Sequence, residues 1–141
     1  MTRLALVTAL LPALLSPLLP TALAAAEGKP LTPEEFEAYV TGKTLLYGST
    51  GGEYGGEDYL PGRKVRWSYL DGDCKAGYWY DQNEQVCFVY EDRPDDPQCW
   101  SFYLDNGKLT ALFENNPEGS ELYETGESAE PLYCKGPEVG V

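Results

Sequence analysis

The sequence predicts a mainly β fold, an antiparallel meander of about eight strands closing into a small barrel, with one short N-terminal helix. Three observations predict it. Short runs of alternating apolar and polar residues recur from Thr44 to Cys134, punctuated by turn pairs such as Pro61-Gly62, Asp71-Gly72 and Asn106-Gly107. Only the segment after Thr32 has helical spacing. Four cysteines lie in the same region as the three tryptophans, supplying staples and bulky core side chains to a short chain.

The first 26 residues read as a cleaved export signal rather than as part of the fold. Arg3 is their only charge, Leu4 to Leu19 is mostly Leu, Ala and Val, and Ala22, Ala24 and Ala26 are small residues before Glu27. Pro12, Pro17 and Pro20 interrupt the apolar run and argue against a membrane anchor. Residues 27–141 then form a single disulfide-stabilised β domain in the periplasm or outside the cell. Cys74, Cys87, Cys99 and Cys134 form two disulfides in one of three pairings, because their gaps are too wide for a four-cysteine zinc site.

Within this domain, Thr32-Pro33-Glu34-Glu35 is a helix start. The Thr32 hydroxyl can accept from the backbone of Glu35, the Glu35 carboxylate can reach back, and Pro33 suits the first helical position. Phe36, Tyr39 and Val40 make an apolar stripe, and Gly42 ends the helix. So short a helix must dock on the sheet to be stable. Thr44 to Gly48 is a strand. Ser49 to Gly56, crowded with glycine, is expected to be a loop or irregular edge; no helix follows it, so it is not a phosphate-cradling loop.

Glu57–Leu60 and Lys64–Tyr69 flank a type II turn at Pro61-Gly62, with Val65, Trp67 and Tyr69 on one face and Lys64, Arg66 and Ser68 on the other. Gly77–Tyr80 and Gln85–Tyr90 form a hairpin, and Glu91–Pro97 is expected to be an acidic, proline-bearing loop. Gln98–Leu104 and Lys108–Phe113 pair around Asn106-Gly107, the strongest short hairpin signal in the chain. A two-residue loop sets Leu104 opposite Leu109, Phe102 opposite Ala111 and Trp100 opposite Phe113, all on one core face. Asn115–Gly119 turns again, Glu121–Thr125 is a strand, and Pro131–Cys134 is expected to be the last one.

The chain carries a formal charge of −13. One basic residue, Arg3, precedes Glu27, so the domain holds nine basic and 23 acidic residues, a formal −14. Such a surface repels nucleic acid and anionic lipid, so neither nucleic acid nor membrane is an expected partner. There is no histidine, which removes the commonest general base and the Ser-His-Asp and Cys-His arrangements. Disulfide-bonded cysteines leave no thiolate nucleophile. The carboxylate pairs Asp71/Asp73, Glu91/Asp92 and Asp95/Asp96 sit at turns, not across a cleft. The oxygen-rich turns lack a calcium-loop pattern. The expectation is a non-enzyme with no cofactor and no metal.

The run YLPGRKVRW, the C-x-x-G-x-W beginning at Cys74 and the run CFVYEDRPDDPQCW from Cys87 resemble small exported β-rich proteins of alphaproteobacteria whose function is unknown. The resemblance spans Thr41 to Cys134. It implies a periplasmic or secreted β domain and brings no site residues with it. Size, acidity and disulfides are also similar in architecture to periplasmic inhibitors of lysozyme or proteases.

The expected function is therefore binding or interaction, with an acidic inhibitor of a basic secreted hydrolase as one form and charge steering its association. The alternative is a carrier of a small apolar ligand in an apolar and aromatic barrel interior. A filled interior is the first expectation, because the many tyrosines and the tryptophans have to go somewhere. The candidate binding surface comprises Tyr54 in the glycine-rich stretch, the basic cluster Arg63, Lys64 and Arg66, and the acidic Glu91, Asp92, Asp95 and Asp96.

Overall fold

The computed structural model describes residues 28–116 and 120–136. The expected export signal lies outside them, as do part of the Asn115–Gly119 turn and the end of the tail.

After a leader whose Leu31 amide donates to the Phe102 carbonyl (2.7 Å), helix α1 spans Pro33–Val40. It starts with the reciprocal cap read from the sequence. The Glu35 amide donates to the Thr32 hydroxyl (3.2 Å), and the Thr32 amide to the Glu35 carboxylate (2.8 Å). Gly42 follows the helix at φ 83°, a left-handed conformation that favours glycine.

Eight antiparallel strands then close into a barrel in sequence order: β1 Thr44–Ser49, β2 Gly52–Leu60, β3 Lys64–Ser68, β4 Cys74–Gln82, β5 Gln85–Tyr90, β6 Arg93–Asp105, β7 Lys108–Phe113 and β8 Glu121–Ser128. β8 returns to pair with β1, Thr44 opposite Ser128, so no sheet edge is left exposed. Alternation sends Leu45, Tyr47, Tyr59, Val65, Trp79, Phe88 and Phe102 into one interior cluster.

The β6–β7 hairpin has the register read from the sequence, with Asn106 and Gly107 at φ 50° and 77°. Phe102, Leu109 and Ala111 are buried, whereas Leu104, expected in the core, is 47% exposed because it sits beside the turn at the barrel end. At Pro61-Gly62 the reversal takes in a third residue, since Arg63 is also left-handed at φ 59°.

Three other expectations need correction. The glycine-rich Ser49–Gly56 stretch is not a loop. Its turn is tight, and from Gly52 it is the first half of β2. Glycine is required at Gly55, where the Trp67 indole and the Ser68 carbonyl occupy the space a Cβ would need. Glu91–Pro97 is likewise not a loop. Glu91 and Asp92 turn the chain, Arg93 pairs with Tyr90, and β6 runs for 13 residues. Pro94 and Pro97 are tolerated because the β5–β6 ladder shifts register there and asks no amide of them. Finally, Pro131–Cys134 is not a strand. It is an extended strap outside the barrel, held where the Leu132 amide donates to Asp58 (3.0 Å) and the Lys135 amide to the Gly72 carbonyl (2.8 Å).

Two disulfides tie the structure. Cys87 and Cys99 face each other across β5 and β6, and Cys74–Cys134 fastens the strap to the start of β4. They point to an oxidising, extracytoplasmic environment. Among the described residues, no helix is long and apolar enough to cross a membrane.

α1 lies against one end of the barrel and inserts Phe36, which is fully buried. Its ring meets Tyr59, Trp79 and Phe88 edge-on at 5.7, 5.4 and 6.4 Å and lies tilted on Phe102 at 4.3 Å. Tyr39 adds a polar anchor. Its hydroxyl lies 2.8 Å from the buried Glu124 carboxylate and 2.9 Å from the Gly107 carbonyl, and Glu124 also accepts from the Leu109 amide (2.9 Å). Loss of solvent and the adjoining Glu124 push the Tyr39 phenol up to about 12.

Phe36→Ala is expected to cost about 3–5 kcal/mol in urea denaturation, since the ring cannot be replaced by solvent or neighbours. The disulfides should differ in worth. Cys74–Cys134 closes a separation of 60 residues and Cys87–Cys99 one of 12. Chain entropy assigns them about 4 and about 3 kcal/mol. Replacing each pair by alanine and comparing denaturant midpoints should rank them in that order.

Candidate functional site

The interior is not filled throughout. α1 packs one end, but the other half of the barrel holds a cavity that opens opposite the helix. Its volume is about 50 Å³. Its walls are aromatic, with Trp67, Phe88, Trp100 and Tyr54 from four different strands. Tyr54 and Tyr69 meet edge-on at 5.7 Å, and each packs on Trp67 at 5.8 and 5.6 Å. The floor is formed by Tyr59, Phe88 and Phe102, the residues that rest on Phe36.

Glu57 is the group that stands out. It follows Gly55 on the inward face of β2, opposite Trp67, and is 2% exposed. One carboxylate oxygen, Oε2, accepts from the Tyr90 hydroxyl at 2.9 Å. The other, Oε1, is buried with no hydrogen-bond partner, the only such side-chain oxygen or nitrogen among the described residues. A buried carboxylate oxygen left unpaired costs the fold free energy, so its presence needs an explanation. Burial raises the Glu57 carboxyl well above the usual range. The Tyr90 hydroxyl pulls against that shift, and the Asp58 charge adds to it.

Two further phenols share the interior. Tyr47 and Tyr59 hydrogen-bond to each other at 2.8 Å, and burial raises both, as it raises Tyr90. Two hydroxyls forming one bond leave one phenolic hydrogen to be donated elsewhere. Asp58, next in sequence, points to the outer face. There it accepts from Thr44 (2.6 Å), Arg66 (2.9 Å) and Leu132 (3.0 Å), binding β1, β3 and the strap together.

The residues singled out from the sequence are dispersed. Tyr54 lies at the mouth of the cavity. The basic cluster does not act as a unit. Arg63 is at the helix end, paired with Glu37 (2.9 Å) and Asp81 (2.8 Å) and stacked over Trp79. Arg66 is committed to Asp58 on the outer wall, and Lys64 is exposed. Glu91 accepts from the Ala76 amide (3.0 Å), while Asp92, Asp95 and Asp96 are exposed along the turn and the first residues of β6. The sequence reading missed Glu57, Tyr47, Tyr59, Tyr90 and Arg93. One signal for Glu57 was present, since period-two alternation along β2 puts it on the same face as Tyr59.

No protein-family model matches the chain, and neither a curated protein nor a solved structure matches it.

The Glu57 carboxyl makes stability depend on pH. In the unfolded chain it titrates near the ordinary value of about 4.3, and in the fold its value is raised. The folded state therefore keeps a proton that the unfolded chain has lost. The resulting stabilisation is complete below about pH 4.3 and disappears as pH rises through the raised value, at up to about 1.4 kcal/mol per unit. Glu57→Gln cannot ionise and removes this dependence. Relative to wild type, it should gain stability progressively as pH rises above about 4.3 in urea denaturation; a constant difference would contradict the assignment.

Proposed function

We propose that the protein is an exported carrier, periplasmic or secreted, that holds a small ligand inside the barrel. The observation that carries this reading is the unpartnered Glu57 oxygen at the bottom of an aromatic-lined cavity. Ligand sites combine apolar walls with a few fixed polar groups, and this interior has both. Binding is favoured over catalysis because, among the described residues, Glu57 is the only carboxylate lining the cavity, so a second acid for hydrolysis is lacking there.

A second reading is supported by the exposed acids. Asp92, Asp95 and Asp96 project near the Glu91 turn of a strongly acidic domain, a surface suited to steering a basic protein such as a hydrolase. Capture of lysozyme that is lost at high salt and in an Asp92/Asp95/Asp96→Asn variant would support it.

The carrier reading is tested by ligand-induced stabilisation. A compound that fits the cavity should quench or shift the Trp67 and Trp100 fluorescence. At a hundredfold excess over its Kd it should raise stability by about 2.7 kcal/mol. A panel of small aromatic compounds such as indole and p-cresol is the natural first set, with native mass spectrometry of protein isolated from its exporting host. Ala111→Phe, which fills the cavity from β7, should abolish the response while keeping the circular dichroism of the fold. A response that survives in Ala111→Phe would place binding elsewhere.

A further inference from the structure

Resting on the carrier reading, we infer that the ligand is a small zwitterion: an amine and a carboxylate on one short, partly apolar skeleton, its ammonium taken by Glu57 in the depth and its carboxylate by Arg93 at the mouth.

A carboxyl and a guanidinium line the one cavity at different depths. Glu57 is 2% exposed, whereas Arg93 is exposed at the start of β6. The unpartnered Oε1 of Glu57 calls for a donor, and no side chain among the described residues supplies it. Tyr90 is already spent on Oε2, the Tyr47 and Tyr59 hydroxyls bond each other and neither bonds Glu57, and Arg66 is turned outward onto Asp58. A protonated amine supplies the missing hydrogen, and its positive charge lets Glu57 ionise and release its own proton to solvent, giving a charge-assisted hydrogen bond in the depth. The aromatic lining of Trp67, Trp100 and Tyr54 is compatible with the same choice, because aromatic rings attract cations.

Arg93 presents the complementary case. Glu91, Asp92, Asp95 and Asp96 lie within three positions of it, yet among the described residues it forms no ion pair. Its guanidinium is instead met by the Gln98 side chain, whose oxygen, with the amide turned toward it, stands at 3.0 and 3.1 Å. Gln98 also lines the cavity. A guanidinium oriented by a neutral amide keeps donors free for a planar carboxylate. A purely cationic ligand would meet Arg93 on its way in, and a purely anionic one would meet Glu57 at the bottom. A molecule bearing both charges satisfies each in turn. The modest interior volume requires the skeleton between them to be short.

The test uses compounds that share a skeleton and differ in charge. Titration calorimetry on the whole domain would compare 4-aminobutanoate with butylamine and butanoate, and phenylalanine with phenethylamine and 3-phenylpropanoate. In at least one set the zwitterion should bind about tenfold or more tighter than either singly charged member. Glu57→Gln should weaken the zwitterion by a similar factor and leave the carboxylate-only compound unchanged. Arg93→Gln should weaken the zwitterion and leave the amine-only compound unchanged or improved. If Glu57→Gln fails to fold, the wild-type comparison and Arg93→Gln, a surface change, still decide. Amines or carboxylates binding as tightly as the zwitterions would overturn the inference. So would neutral aromatics that bind and are blocked by Ala111→Phe while neither zwitterion binds, an outcome that leaves the carrier reading standing. If no compound binds, charged or neutral, both fall.

Discussion

Phe36 is the contact on which the rest of the interior depends. An eight-stranded barrel can hold a little more than its own strands supply, and this one plugs one end with a side chain from outside the sheet. The ring touches Tyr59, Phe88 and Phe102 from one side while the same three residues face the cavity on the other. Plug and pocket thus share a wall one side chain thick. The local sequence secures that wall through the capping box at Thr32 and Glu35, which sets where the helix begins and hence where Phe36 points.

β2 carries opposite electrostatic solutions on its two faces. Asp58 is as buried as Glu57, but it is ringed by donors from β1, β3 and the C-terminal strap and acts as a fastening. Glu57, one residue earlier, faces aromatic rings and a single hydroxyl. Removing a partner from a group like Asp58 would destabilise the outer wall, whereas Glu57 is costly as it stands. Buried groups left short of partners are concentrated where a protein meets a ligand, because the cost is recovered on binding.

Much of the architecture was legible in the sequence, and the reasons are local. Asn106-Gly107 accepts two left-handed residues and so dictated the β6–β7 register residue by residue. The helix cap was equally explicit. The misreadings came where composition outweighed pairing. Glycines at Gly55 and Gly56 look like a loop, yet Gly55 makes room for Trp67 and Gly56 for Leu132 and Leu46. Acids and prolines at Glu91–Pro97 also look like a loop, yet they lie in β6 where the β5–β6 ladder shifts register between Gln98 and Arg93 and asks no amide of Pro94 or Pro97. The site was the least legible part. Its residues come from every strand except β4, and only closure of the barrel brings them together. Local signals also exaggerated the basic cluster, whose arginines are neutralised by acids distant in sequence, Glu37 and Asp81 for one of them.

The seam between β1 and β8 bears on the order of folding. Every other neighbouring pair of strands is consecutive and can form as a hairpin while the chain is still incomplete, but Thr44 finds Ser128 only when nearly all of the domain is present. Until that last zipper closes, Glu57 is an ordinary hydrated carboxylate on an open, curling sheet. Glu57 is dehydrated only once the β1–β8 seam is closed, so the pocket exists only in the complete barrel.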